Sequence, residues 1–487
     1  MSPFDRREFL NRTAILSAAV AAGTSLRADD ATKTVSAKKG SANDRLRVAV
    51  VGVHGRGMDH VRGYLGRNNC EVTHICDADS SVIGNAMKNV EKVQGAAPTY
   101  VQDFRKLIEL KDVDLISIAT PNHWHATMAV WAMAAGKDVY SEKPASHNVH
   151  EGRLMVNAAN KFKRICQIGT QSRSTAGMRG AMKHIHDGKI GKVSLAYGTC
   201  YKRRKSIGKV TKATDPAKTV NYDLWSGPAP LLPIMRKSMH YDWHWIYEYG
   251  NGDLGNQGVH EMDKARWGLG KATLPASVVS IGGRFGYVDD GETANTQLSL
   301  FDYGDANLIF EVRGLETKDY KGIMVGNIFF GTEGYVVCPN YSSGIAYNND
   351  GKKVAEFKGG GDGSHYDNFI KAVRSRNTSD LNCPATEGHL SAALCHLANI
   401  SYRLGEKHSF DQPTSCMTGC KDAVAALDRM KEHLKANEVD LSKAVGLVGP
   451  KLMVDNATEK FVGAPAKAND MLFREYRKGY EITKVFS

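Results

Sequence analysis

"LRVAVVGVHGRGMDHV", residues 46–61, decides the fold. Its opening run, "LRVAVV", is nearly continuous in apolar, β-branched residues, the composition of a strand buried on both faces. Gly52, Gly55 and Gly57 follow where a helix should begin, and Met58, Val61 and Leu65 mark that helix's inner face. A strand that runs through glycines into a helix brings free backbone N–H groups and the positive end of the helix dipole to one point. Glycine is needed there because the chain must turn sharply and let a pyrophosphate approach the backbone.

The next strand, "CEVTHICD", ends at Asp77, twenty positions after Gly57. A carboxylate so placed accepts hydrogen bonds from both hydroxyls of an adenosine ribose and repels a 2′-phosphate, which favours NAD over NADP. Alternation then continues. Helices are predicted over 81–94 and 102–110, a strand over 113–120, and a helix over 123–135 with Asn122 as its cap. The strand "DVYSE", a helix over 149–161 and the strand "RICQIGT" follow. Such alternation means a parallel sheet with helices on both faces, here over 45–170. Ligands of such sheets sit at the carboxyl ends of the strands. That places Gly52, His54, Gly55, Arg56, Gly57, Asp77, Thr120, Pro121, Asn122 and His125 at the cofactor. It also brings "VYSEKPAS", with Glu142, Lys143 and Pro144, to the same crevice.

After residue 171 the pattern changes. One helix over 175–186 precedes a series of strands, several alternating apolar and polar residues at period two, so one face is covered. "FDYGDANL" reads as a hairpin turn. This is a second domain, 171–435, with a large, mostly antiparallel sheet, followed by a tail, 436–487. Between its early strands lies "MHYDWHWIYEYGNGDLGNQGVHEMDKARWGLG", rich in aromatic, acidic and histidine residues. A helix is predicted over 259–267, with His260 in its first turn facing an interdomain cleft. Arg173, Tyr201, Trp243 and His244 are the candidate substrate contacts.

Composition bounds the remaining possibilities. The chain has 487 residues, 42% hydrophobic and 24% charged, as folded globular proteins do. The net charge is +12, yet no nucleic-acid-binding signature accompanies it. The run Lys202-Arg203-Arg204-Lys205 reads as a solvated loop, with attraction of an anionic substrate as the alternative. Nine scattered cysteines make no disulfide framework. Cys416 and Cys420 lack a second ligand pair, and His123 and His125 flank Trp124 rather than a metal, so no metal site is expected. Arg6-Arg7, then a short apolar stretch and small residues near Ala28, form an export signal of the twin-arginine kind, 1–28, ahead of a flexible linker, 29–44. The expected location is periplasmic or otherwise exported, through the twin-arginine translocase. The apolar stretch is too short for a permanent membrane span.

Taken in order, the glycine turn, "ATPNHWH" (119–125), Glu142-Lys143-Pro144 and "GNQGVHEMD" (255–263) resemble the Gfo/Idh/MocA family, which includes glucose–fructose oxidoreductase and inositol 2-dehydrogenase. The likeness extends over "YDLWSGPAP", "HYDNFIKAVRS" and "LCHLANISYRLG", and "MLFREYRKGYEI" is similar to the tail of exported members. The resemblance implies an α/β fold: a Rossmann dinucleotide-binding domain plus an α/β domain whose large open sheet serves oligomerisation. It implies hydride transfer between NAD(P) and a sugar, glycoside or cyclitol, with Lys143 beside the reacting hydroxyl and His260 as acid/base. Two positions depart from the pattern: His54 stands where many members have glycine, and Asn256 where an aspartate precedes the histidine. Asn256 then orients the site by hydrogen bonding without relaying a proton, and Asp253 is the candidate replacement. Two other readings stay open: glycoside cleavage through transient oxidation by tightly held NAD, and a non-catalytic sugar-binding or sensing protein.

Overall fold

The computed structural model describes residues 44–486. The expected export signal, 1–28, and nearly all of the expected linker, 29–44, fall outside the described residues. Six strands form the first sheet: β1 (Leu46–Val51), β2 (Cys70–Cys76), β3 (Thr99–Val101), β4 (Leu115–Ile118), β5 (Asp138–Ser141) and β6 (Cys166–Ile168). Their order is β3-β2-β1-β4-β5-β6 and every pair is parallel. The direction of winding reverses between β1 and β4, which opens a crevice at their carboxyl ends. Both faces of β1 are buried, Ala49 and Val51 in one core and Val48 and Val50 in the other, as its nearly continuous apolar run demands.

The helices of this half are α1 (Gly57–Tyr64), α2 (Gly84–Gln94), α3 (Phe104–Ile108), α4 (Asn122–Ala134) and α5 (Val149–Lys161). α2 starts later than its pattern suggests because the Asp79 carboxylate accepts from the Ser81 N–H (2.8 Å) and hydroxyl (2.7 Å). That local turn competes with the helix. Asn122 does not cap α4; it is the first helical residue, and its amide donates to Asn251 Oδ1 at 3.3 Å.

The second sheet has twelve strands. Its main body is β7 (Val193–Tyr201), β8 (Ser277–Gly283), β9 (Thr296–Asp302), β10 (Asn307–Arg313), β11 (Val325–Gly331), β12 (Gly334–Cys338), β13 (Ser343–Asn348) and β14 (Lys353–Lys358). The other four are β15 (Glu406–Ser409), β16 (Val445–Val448), β17 (Leu452–Asp455) and β18 (Lys460–Val462). All pairs are antiparallel except β7 with β10. β9 and β10 form the hairpin expected at "FDYGDANL".

Helices α6 (Ala176–His186), α7 (Tyr222–Ser226), α8 (Val259–Gly268), α9 (Gly363–Ser375), α10 (Ala385–Arg403), α11 (Lys421–Ala436) and the short α12 (Ala466–Asp470) complete this half. α6, α8 and α10 share one core with the inner face of the sheet, where Phe310 and Phe329 are fully buried. Burying each of those rings stabilises the fold by about 1.5–3 kcal/mol. α11 covers part of the opposite face.

The two halves are not separate bodies. Tyr366, Phe369 and Ile370 of α9 pack with Val48, Val50 and Val61 of the first half. Residues 436–487 do more than trail from the second domain. They add β16, β17 and β18 to its sheet, and they bury Tyr480 and Ile482 in the first core. Strands of three or four residues are too short for periodicity to announce them.

Candidate active site

Sheet register builds the site. Val51 pairs with Cys76 and Ile118, and Ile118 with Ser141. The next residue of each strand, Gly52, Asp77, Ala119 and Glu142, therefore stands in one row at the mouth of the crevice. A cavity of about 410 Å³ lies there, lined by Gly52, His54, Gly55, Arg56 and Asp77 on one side and by Thr120, Pro121, Asn122, His125, Glu142 and Lys143 on another. The second domain supplies the roof: Leu224, Trp225, Ser238, His240, Tyr241, Trp243, His244 and Asn256.

The glycine turn is closed behind and open in front. Gly52 has φ +80°, and a Cβ on Gly57 would lie 1.8 Å from the Gly52 carbonyl oxygen. A Cβ on Gly55 would meet nothing within 4 Å. The backbone N–H groups of His54, Gly55 and Arg56 have no hydrogen bond among the described residues. Asp77 accepts from the N–H groups of Val53 (2.9 Å) and Asp79 (3.0 Å), and burial pushes its carboxyl above the usual value against those donors. Unpaired N–H groups ahead of a helix and a carboxylate at the end of β2 fit the pyrophosphate and ribose of NAD.

The Lys143 turn is held from several sides. The Lys143–Pro144 bond is cis. Glu142, its side chain 5% exposed, accepts from Arg56 Nε (2.8 Å) and from the Lys143 N–H (3.2 Å), and its Oε1 lies 3.2 Å from His60 Nε2. Burial alone would raise this carboxyl, but Arg56 and His60 hold it well below the carboxylate range. His125 bridges two loops, with Nδ1 at 2.7 Å from the Pro144 carbonyl and Nε2 at 2.7 Å from that of Thr120. Two acceptors favour a doubly protonated ring, but burial is the larger effect and pushes His125 down.

Across the domain boundary, the Lys143 ammonium donates to the backbone carbonyl of Asn256 at 2.6 Å. Asn256 lies in a wide π-turn, Leu254–Gly258, that leads directly into α8. Such turns carry functional groups often. Burial pushes Lys143 below its ordinary value, Glu142 opposing and Arg56 and Lys202 adding to the fall. His260, in the first turn of α8, is buried, and its Nδ1 has no partner among the described residues. Its ring lies 4.8 Å from that of Tyr341. Burial first, and Lys143 second, push His260 well below the usual histidine value, so the imidazole is neutral near pH 7.

Other expected residues are placed differently. Arg173 does not reach the cavity: it is buried in an ion pair with Asp263 (2.9 Å) and a second with Glu387 (2.9 Å). Tyr201 ends β7, where side chains alternate. Cys200 faces α8, so Tyr201 faces away, and its hydroxyl donates to Glu311 at 2.5 Å. Asp253 is no proton relay to His260, because Arg204 Nη2 claims it at 2.5 Å. Asn256 contributes its carbonyl to Lys143 rather than its amide. His123 is buried against the Trp225 carbonyl (3.0 Å) and pushed down to about 3 by burial. Trp243 and His244 do line the cavity, with rings stacked 3.7 Å apart.

Several lining residues escape a reading of the sequence. His240 pairs with Asp79 (2.8 Å) and meets the ring of His54 at 4.6 Å, which gives a partner to the histidine that replaces glycine. Tyr341, from a loop with no local motif, does not line the cavity but packs behind it on the ring of His260. Among the described residues no cluster of three His, Cys, Asp or Glu side chains could hold a metal, and no helix is long and apolar enough to cross a membrane.

A six-stranded parallel sheet with a glycine turn at its switch point, joined to a large mixed sheet that roofs the crevice, defines a dinucleotide-binding protein of two parts. Residues 46–170 match the Gfo/Idh/MocA oxidoreductase family, NAD-binding Rossmann fold, and residues 188–430 match that family's C-terminal α/β domain. The chain belongs to this family, and NAD is the cofactor of its first domain. Among relatives, it is 32% identical over 180 residues to glycosyl hydrolase family 109 protein 2 of Shewanella sp. (strain ANA-3), 34% of this chain and 40% of that protein. It is 29% identical over 127 residues to the alpha-N-acetylgalactosaminidase of Shewanella oneidensis, 25% of this chain and 28% of that one. The matches thus span less than half of these relatives. Among solved structures, the WlbA dehydrogenase of Bordetella pertussis, in complex with NADH and UDP-GlcNAcA, superposes with a TM-score of 0.55 at 20% identity, covering 74% of this chain and 97% of that one. Levoglucosan dehydrogenase, in complex with NADH and levoglucosan, gives 0.56 at 18%, covering 73% and 96%.

Proposed function

We propose that the protein is an NAD-dependent oxidoreductase that oxidises a secondary hydroxyl of a sugar, glycoside or cyclitol. The observation that carries this is the bond from the Lys143 ammonium to the Asn256 carbonyl, which brings a cation from the turn after β5 to the start of the helix that holds His260. NAD, when bound, supplies the hydride acceptor. Gly52, Gly55 and Gly57 shape the pyrophosphate cradle, and Asp77 selects for an unphosphorylated ribose. Lys143 holds the substrate hydroxyl and stabilises negative charge as it develops on that oxygen. His260, neutral at working pH, takes the hydroxyl proton. Glu142 stays ionised and keeps the lysine turn in place.

A second reading shares these residues. The curated relatives named as family 109 glycosyl hydrolases favour a glycoside-cleaving reaction in which oxidation is transient and no net NADH appears. One experiment separates the two. The purified protein is denatured and its supernatant assayed for nicotinamide cofactor; sugars and glycosides are then screened for NADH formation and for bond cleavage separately. NADH accumulating in step with product supports the dehydrogenase. Cleavage without accumulation supports the glycosidase. Bound NAD with neither supports a sugar-binding role.

Export by the twin-arginine route is part of this proposal. Cell fractionation of the wild type against Arg6→Lys with Arg7→Lys tests it, and an unchanged distribution refutes it. So is a homo-oligomer formed through the sheet face opposite α6, where Tyr335 and Tyr347 stack 5.0 Å apart beside Phe330. A monomer in light scattering would refute that.

A further inference from the structure

After β7 the chain leaves the second sheet and runs across the mouth of the crevice before returning at α8. The start of this excursion is tied firmly to both rims. The Asn221 N–H donates to the Ala78 carbonyl (2.9 Å), and the Ser80 N–H to that of Thr219 (3.0 Å). On the far rim, Trp124 Nε1 donates to the carbonyl of Trp225 at 3.0 Å. The stretch that follows, 229–241, is different. Among the described residues its one hydrogen bond to the first domain is from His240 Nε2 to Asp79 Oδ2, at 2.8 Å. The His240 ring also meets the edge of His54, on the glycine turn, at 4.6 Å and 73°. Leu231, Leu232 and Met235, in the same stretch, stay exposed. Within the second domain this stretch is held by the Tyr222 hydroxyl, which donates to the Leu232 carbonyl (2.8 Å), and by Arg236 over the Trp225 and Tyr249 rings (4.5 and 5.1 Å); toward the first domain, among the described residues, His240 makes its one hydrogen bond.

That point lies over the site of the dinucleotide. Asp79 is two residues beyond Asp77, and its carboxylate is fixed by the Ser81 N–H and hydroxyl. His54 stands between Gly52 and Gly55, and Ser238, His240 and Tyr241 face them across the cavity. Resting on the NAD-dependent reading above, we propose that His240, with His54 and Asp79, is a latch over the cofactor site. The second domain then sets how fast NAD enters and leaves. It follows that His54 is no defect in a glycine turn; its ring is the contact against which the roof closes.

The test is the exchange of NADH on the full folded chain, followed by its fluorescence in stopped flow. Dissociation is read by displacement with excess NAD. His240→Ala removes the bond and the ring together; His54→Gly removes the ring contact and leaves the bond to Asp79 intact. The expected result is faster dissociation and faster association alike, about ten- to a hundredfold for His240→Ala, the range a charge-assisted hydrogen bond sets. For His54→Gly the expected change is about threefold or more. Dissociation less than threefold faster in both folded variants overturns the latch. So does faster dissociation with unchanged association, which would make His240 a simple contact. A wild type that binds no NADH overturns the NAD-dependent reading itself. If His240→Ala does not fold, His54→Gly alone decides.

Discussion

Replacing Lys143 by methionine keeps most of the apolar stem of the side chain and removes its charged end. The ammonium donates to the Asn256 carbonyl at 2.6 Å and sits beside Glu142 and Arg56. Losing that bond costs about 1.5–3 kcal/mol of interaction, but removing a half-buried cation from a crowded cationic site repays much of it. Stability should therefore change by no more than about 1 kcal/mol. Turnover should suffer far more. A donor aimed at developing oxyanion charge is worth about 3–4 kcal/mol in the transition state, or about a hundred- to a thousandfold in kcat. NAD affinity should stay within about threefold of wild type, since the glycine turn and Asp77 are untouched. The pH profile carries a second signature. Lys143 lowers the His260 value, second only to burial. Without Lys143 that value rises, so as pH falls the residual activity is lost at a higher pH than in the wild type. The assays are single-turnover kinetics on the best substrate across pH and NAD titration by tryptophan quenching. A kcat within tenfold of wild type would refute the assignment of Lys143 to the chemistry. An unshifted acid limb would refute its coupling to His260.

Four further changes have expected outcomes. Asp77→Ser should narrow the preference for NAD over NADP at least tenfold in kcat/KM; an unchanged ratio removes Asp77 from ribose recognition. Gly57→Ala puts a Cβ 1.8 Å from the Gly52 carbonyl oxygen, so the turn must open by more than 1 Å, and NAD affinity by equilibrium dialysis should fall about a hundredfold or more. Arg204→Met leaves Asp253, its side chain 2% exposed, unpaired. That should cost about 3–5 kcal/mol in denaturant unfolding, with much of it recovered when Asp253→Asn is added. Tyr201→Phe should leave kcat and KM within twofold, because its hydroxyl lies on the far face of the sheet with Glu311.

The first domain was legible because its signals are local. A doubly buried strand must be apolar throughout, a pyrophosphate turn must use glycine, and a helix of the length of α5 repeats its apolar positions long enough to be read. Its range over 149–161 follows from that pattern alone. The later start of α2 was not legible, because the Asp79 carboxylate captures Ser81, and side-chain capture of a turn leaves no mark in periodicity. The tail strands were too short to show a period. Arg173 and Tyr201 were expected among the substrate contacts, yet a buried carboxylate holds the first and strand alternation turns the second to the far face of the sheet.

The sequence by itself determined the parallel sheet, the glycine turn, Asp77 and the lysine turn, since each depends on residues within one turn or one strand of each other. Only the tertiary structure decided what surrounds Lys143. Asn256 lies more than a hundred positions away along the chain, and what it offers is a backbone carbonyl, a group every residue carries and no side chain announces. The pairing of His240 with Asp79 and His54 is of the same kind. It arises because β7 and α8 pack together in the second half of the molecule while the segment between them crosses the crevice of the first.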